Sequence, residues 1–156
     1  MKRLFVVKKI IDTNQMTLVD TITTSDGLDS DFVDSVATRY GIAYMATPDK
    51  GVMRVELSTS TIIGSWQSLG ADDLDATPVA VDGDVVYIGL YEFGILVVDR
   101  LTGDILDLWN QDTNSLPDDD VLSLEMDDFG GLLVGSEGSF SRYDGSTWTT
   151  LTTSGS

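Results

Sequence analysis

Aspartates recur just before each run of apolar residues, and they are the side chains best suited to chemistry in this chain. Ca²⁺ takes several hard oxygen ligands, so repeated carboxylates such as Asp34, Asp75 and Asp119 predict a cation site. The alternative is that these aspartates cap turns and strand starts, a role that their side chains commonly fill. Because no spacing matches a compact calcium loop, the turn interpretation is the favoured one. The aspartates of the three groups are Asp26, Asp29, Asp31 and Asp34, then Asp72, Asp73 and Asp75, then Asp118, Asp119 and Asp120.

A second candidate is the loop Tyr91-Glu92-Phe93, in which two aromatic residues flank a carboxylate. Aromatic rings beside a charged group on a loop form a platform that can hold a ligand. The alternative is packing, with Tyr44 and Tyr87 between neighbouring sheets and the two loop aromatics covering a sheet edge. Packing is also the simplest interpretation of the recurring tryptophans, Trp66, Trp109 and Trp148.

Catalytic candidates are scarce because the chain has no histidine and no cysteine. The usual general base, the usual transition-metal ligand and the common nucleophilic triads are therefore missing. Carboxylates are numerous enough to form the pairs that cleave glycosidic bonds, yet no pair stands out. We expect a protein that is not an enzyme, and the alternative is a carboxylate-dependent hydrolase or lyase.

The net charge of −17 is the strongest compositional feature. All but four of the 26 acidic residues are aspartates, which favour turns over helices. An acidic surface repels phosphate backbones, so nucleic acid is not expected as a partner. No apolar run is long enough for a membrane helix, so membrane insertion is not expected either. The first apolar stretch, 4–7, is too short for the core of a signal peptide, so no export signal is expected in this sequence.

The chain repeats itself at a shift of about 43 residues. This shift places 36–46 over 79–89 and Trp66 over Trp109, and a third copy begins near Val121. Each copy contains four short β-type runs separated by turn signals such as Asp82-Gly83, and no stretch has the apolar period of a helix.

Four antiparallel strands in a repeat of this length are typical of a β-propeller blade. We therefore predict an all-β fold of about three and a half blades. The predicted divisions of the partial propeller 1–156 are an outer strand pair at 3–23 and blades at 31–68, 75–111 and 118–153.

The third copy resembles the repeat of the two-component-regulator propeller family. That family's pattern is an L-P-x-N-x-V opening, a D-x-x-G turn, an L-W-I-G-T strand and a G-L-x-x-Y-D strand. The matching residues here are 116–124, 127–131, 132–136 and 138–144, with Asp119 in place of the Asn and Leu133 in place of the Trp. The resemblance implies a sensor or binding propeller, often periplasmic and often joined to signalling domains, none of which the sequence contains.

These features predict a binding module for a ligand or a protein, which is a fragment of, or a building block for, a larger propeller. An incomplete ring exposes apolar blade faces larger than a soluble monomer tolerates. The expected partner is therefore another copy of the chain or the rest of a longer chain. The expected location is periplasmic or secreted, and no cofactor is expected unless the aspartates bind Ca²⁺.

Overall fold

The computed structural model describes residues 4–10, 15–30, 32–48, 50–66 and 76–152. These residues form fourteen β-strands and a single 3₁₀ turn at Thr24–Asp26, with no α-helix among them. The predicted all-β fold is confirmed. Within the described residues, no helix is long and apolar enough to span a membrane.

Twelve of the strands form three four-stranded antiparallel sheets, and each sheet keeps its strands in chain order. We call these sheets blades 1 to 3, and a separate two-stranded sheet precedes them. The N-terminal hairpin is β1 (Leu4–Ile10) and β2 (Gln15–Ile22). Blade 1 is β3 (Ser35–Arg39), β4 (Ile42–Thr47), β5 (Gly51–Glu56) and β6 (Thr61–Trp66). Blade 2 is β7 (Ala76–Asp82), β8 (Val85–Leu90), β9 (Gly94–Asp99) and β10 (Ile105–Trp109). Blade 3 is β11 (Val121–Met126), β12 (Leu132–Ser136), β13 (Ser139–Tyr143) and β14 (Trp148–Thr152).

The three blades stack side by side with their first strands innermost. Strand β7 contacts both β3 and β11, so the three first strands lie next to one another. The middle strands of blades 1 and 2 are buried over most of their length, because apolar side chains from neighbouring parts of the chain cover both faces. Burial on both faces explains why runs such as 95–98 are continuously apolar instead of alternating.

Two apolar clusters join the blades. One contains Tyr44 and Trp66 of blade 1 with Val86 and Ile88 of blade 2. The other joins Trp109 and its neighbours in blade 2 to the apolar residues of blade 3. The two tryptophans occupy equivalent positions, and each is only 8% exposed. The packing interpretation of these two residues therefore agrees with their burial.

The N-terminal hairpin ends against the free side of blade 1. Ile22 and Leu28 pack on a group of fully buried blade 1 side chains that includes Met45 and Met53. Strand β1 pairs with β2 in antiparallel register along its whole length, with one irregularity between Val6 and Val7. The predicted outer strand pair is thus a two-stranded sheet of its own.

Candidate functional site

The connections between strands lie on two opposite rims of the blade stack. The rim that we call the upper rim holds the turns after β4, β8 and β12 and the segments leading into β3 and β11. The lower rim holds the turns after β3, β7 and β11 and those after β5, β9 and β13. This separation follows from the antiparallel order, because consecutive turns in a meander alternate between the two ends of the sheet.

The predicted ligand loop Tyr91-Glu92-Phe93 is the upper-rim turn between β8 and β9. Tyr91 is 51% exposed and Phe93 is 55% exposed, so neither ring is part of the core. Glu92 has a positive φ of 62°, which presents its side chain from a tight turn. The backbone N–H of Gly94 donates to the carbonyl oxygen of Asp119 at 3.0 Å, which fixes the end of this loop to the segment that leads into blade 3.

The described aspartates of the predicted cation site have separate local roles. An Asp119 carboxylate oxygen accepts the backbone N–H of Gln111 at 2.8 Å, and the neighbouring Asp118 accepts that of Asp120 at 3.0 Å. The Asp118 bond is of the turn-capping kind that the alternative interpretation predicts, whereas the Asp119 bond joins the two ends of the segment between β10 and β11. Asp34 is exposed, and its N–H donates to the Ala46 carbonyl at 3.1 Å.

Asp75, the third residue of the predicted site, lies outside the described residues. Within the described part of the chain, no three acidic side chains come together in an arrangement that could hold a metal ion. The calcium site at Asp34, Asp75 and Asp119 stays a prediction.

The inner strands line a cavity of about 270 Å³, partly open to solvent, that the sequence did not indicate. Its walls are residues 35–38 of β3, 79–81 of β7 and 124–126 of β11. Ser35 bridges two blades here, since its hydroxyl oxygen accepts the N–H of Val79 at 3.1 Å. Nothing in the repeat singles out this serine, because its partner is contributed by a different blade.

A group on the lower rim also escaped the sequence analysis. The guanidinium groups of Arg39 and Arg100 both lie over the ring of Tyr40, with their central carbons 5.0 and 4.9 Å from its centroid. Arg39 pairs with Asp82 at 3.3 Å, and Arg100 pairs with Asp84 at 3.1 Å. Since each arginine has a carboxylate partner, this group joins blades 1 and 2 and leaves little uncompensated charge.

The turn at 127–131 shows how the carboxylates of this chain are used. Asp127 accepts the N–H groups of Phe129 and Gly131 with one oxygen and the Nε–H of Arg142, at 2.6 Å, with the other. The bond from Arg142, followed by that from Gly131, lowers the pKa of Asp127 from 3.8 to about 2. Backbone N–H groups in other turns likewise lower the pKa values of Asp99 and Asp144.

Comparison with known proteins identifies the fold. No family model matches the chain, and no curated protein matches it. The extracellular domain of the hybrid two-component system BT4673 from B. thetaiotaomicron aligns with 80% of this chain and 16% of its own length, at 15% identity and a TM-score of 0.60. The WD40 repeats of RRP9 align with 94% of this chain and 44% of theirs, at 10% identity and a TM-score of 0.69.

A third structure is PorZ, a surface component of the type-IX secretion system of Porphyromonas gingivalis. It aligns with 70% of this chain and 17% of its own length, at 21% identity and a TM-score of 0.55. The fold is that of β-propeller blades, and the predicted resemblance to two-component-regulator propellers is confirmed at the level of fold. The chain spans between about a sixth and less than half of these structures, so it corresponds to part of a larger propeller.

Proposed function

We propose that this chain is the part of a larger β-propeller that binds a ligand or a protein partner, and that it has no catalytic role. The binding residues are Tyr91, Glu92 and Phe93 on the upper rim. The bacterial neighbours in the comparison are an extracellular domain and a surface component. This observation supports a periplasmic or secreted location for the proposed module.

The observation that carries the proposal is the exposure of two aromatic side chains on an anchored turn. Several other aromatic residues in the described part of the blades pack on a second ring, as Tyr87 does on Trp109, with ring centroids 5.5 Å apart. Tyr91 and Phe93 instead leave about half of their surface in solvent. Because Gly94 is bonded to Asp119, a ligand meets these rings in a preformed arrangement. Preformed aromatic surface beside a carboxylate is favourable for binding, since little conformational entropy is lost.

The electrostatics of four described carboxylates make these groups poorly suited to the acid catalysis that cleavage of a glycosidic bond requires. A glycosidase needs one carboxylic acid with a raised pKa to protonate the leaving group. The resolved shifts, at Asp26, Asp99, Asp127 and Asp144, are all downward, because hydrogen bonds stabilise the anion. These four groups are therefore poor proton donors and good turn caps.

The test is to expose the full chain to an array of synthetic peptides and an array of oligosaccharides. We expect retention on members of at least one array and loss of that retention in the double variant Tyr91→Ser/Phe93→Ser. The matched control is Leu101→Ser/Phe129→Ser, which removes two still more exposed apolar side chains from the lower rim. Equal binding by both double variants contradicts the assignment of the loop. No retention of the unaltered chain, or cleavage of the oligosaccharides, contradicts the binding function itself.

A further inference from the structure

The described part of the chain contains four arginines, and three of them pair with an aspartate. Arg54 is the fourth. Among the described residues it has no carboxylate partner, and its buried Nε–H donates to no acceptor. The acidic residue on the same face of β5 is Glu56, whose carboxylate instead accepts the hydroxyl of Thr59 at 2.8 Å. In a chain with a net charge of −17, an arginine without a carboxylate needs an explanation.

The hydroxyl group of Tyr44 is a second buried polar group in the same place. Tyr44 lies directly opposite Arg54 on the neighbouring strand β4, so the two side chains share one face of blade 1. This face packs against blade 2, and Tyr44 is fully buried there. Both residues contact the indole of Trp66, whose centroid is 5.9 Å from that of the Tyr44 ring and 4.8 Å from the guanidinium carbon of Arg54.

The groups around the Tyr44 hydroxyl are hydrogen-bond donors. Arg100 approaches this hydroxyl from blade 2, and that approach, followed by the bond to Asp84, raises the pKa of Arg100. The geometry of a hydrogen bond to Tyr44 is not reached. A guanidinium group has only N–H donors, so neither Arg54 nor Arg100 can accept the hydroxyl proton of Tyr44. The three groups together therefore offer donors and positive charge and require an acceptor that carries negative charge.

We propose that Arg54 and Tyr44 bind the carboxylate group of a small ligand at the boundary between blades 1 and 2. A planar carboxylate matches the edge of one guanidinium group, which donates two parallel hydrogen bonds to it. Trp66 lies against the face of the Arg54 guanidinium and leaves that edge for the ligand. Arg54 keeps part of its surface in solvent and Tyr44 has none, so Arg54 makes the first contact. The hydroxyl joins once the long arginine side chains part to admit the carboxylate.

The surroundings favour a ligand with one negative charge over a ligand with two. The turn between β9 and β10 lies against Trp66, because a Cβ on Gly103 would stand 2.5 Å from the indole Nε1. This turn carries Asp99 and Asp104, whose carboxylates are hydrogen-bonded within the turn. Their charges, together with the net charge of −17, repel a dianion such as phosphate more strongly than a monocarboxylate. The site shares no residue with the ligand loop, so either proposal can fail without the other.

The experiment titrates the full chain with sodium acetate at pH 7, with sodium chloride holding the ionic strength constant. We expect the Nε–H resonance of Arg54 in ¹H–¹⁵N NMR to shift until it saturates. The urea midpoint should rise in parallel, because a ligand that binds only the folded state stabilises it. Arg54→Gln should abolish this rise, and Tyr44→Phe should weaken the apparent acetate affinity about tenfold, the effect of one lost hydrogen bond to a charged group. The matched control Arg39→Gln removes an arginine that has a carboxylate partner and should leave the rise intact.

Three outcomes would overturn the proposal. In the first, acetate changes neither signal while Tyr44→Phe raises the urea midpoint in acetate-free buffer, which would show that the hydroxyl is only a buried group without a partner. In the second, inorganic phosphate at the same ionic strength raises the midpoint as much as acetate does, which would show a general effect of anions. In the third, Arg54→Gln retains the response to acetate, which would place the binding elsewhere in the chain.

Discussion

Replacing Trp109 with alanine tests whether aromatic packing couples blades 2 and 3. The ring of Trp109 lies 5.5 Å from Tyr87, 4.9 Å from Tyr143 and 6.2 Å from Trp148, centroid to centroid. The last two belong to blade 3, so the indole bridges the blades. Truncating a buried tryptophan costs about 3–5 kcal/mol of unfolding free energy. We expect a loss in this range for Trp109→Ala.

The matched control is Trp66→Ala at the equivalent position between blades 1 and 2. Trp66 has one ring neighbour, Tyr44 at 5.9 Å, and the guanidinium carbon of Arg54 4.8 Å above it. A ring pair contributes about 0.5–1.5 kcal/mol and a cation over a ring about 0.5–1 kcal/mol. Trp109 has two more ring pairs and lacks the cation, so its truncation should cost about 1 kcal/mol more than that of Trp66.

The assay is urea unfolding monitored by far-ultraviolet circular dichroism. This signal reports the β-structure in both variants, whichever tryptophan is removed. In an array of repeats, weakening one interface lowers the stability of the units on either side and can uncouple them. The Trp109 variant should therefore show a lower midpoint and a broader transition than the Trp66 variant. Equal or smaller destabilisation by Trp109→Ala would refute the claim that the bridging rings couple the blades.

Two further predictions concern turns. Because the folded pKa of Asp127 lies at about 2 and its ordinary value is 3.8, the stability it contributes is present above about pH 4 and is lost as the pH falls toward 2. Asp127→Asn should lower the urea midpoint at pH 7 and flatten its dependence on pH between 4 and 2, and an unchanged pH profile would contradict the role of Arg142. Gly94→Ala should destabilise far more than Gly41→Ala, as measured by thermal unfolding. Both glycines have positive φ, at 92° and 75°, but a Cβ at Gly94 meets the carbonyl oxygen of Trp109 while one at Gly41 meets nothing. Equal losses of stability would show that the close approach to Trp109 is unimportant.

The strands and their order were predictable because the signals that specify them are local. Asp82-Gly83 is a turn in any context that has apolar alternation on both sides, and Gly83 does adopt a positive φ of 53°. The internal repeat then indicated that these hairpins belong to repeated four-stranded blades, because the same spacing of turns occurs again around Gly41. The equivalence of Trp66 and Trp109 was visible for the same reason.

The cross-blade contacts were not predictable, since each joins residues distant in the chain. Ser35 and Val79 form their hydrogen bond only because β3 lies beside β7, and no sequence feature near Ser35 predicts that bond. Tyr40 likewise acquires Arg100 from the neighbouring blade. For the ligand loop, the sequence is compatible with either an exposed or a packed Tyr91. Which of the two occurs depends on whether another part of the chain covers the turn between β8 and β9.

The amino-acid sequence by itself determined that this chain forms four-stranded antiparallel sheets at a fixed repeat, because turn residues and apolar patterning act over short distances. It also determined the acidic character of the surface and the absence of histidine and cysteine chemistry. Only the tertiary structure decided which apolar positions are covered. Ile95 and Phe140 occupy the same place in their blades, and one is buried while the other is exposed. That difference depends on whether another sheet packs above the residue, which a local pattern cannot encode.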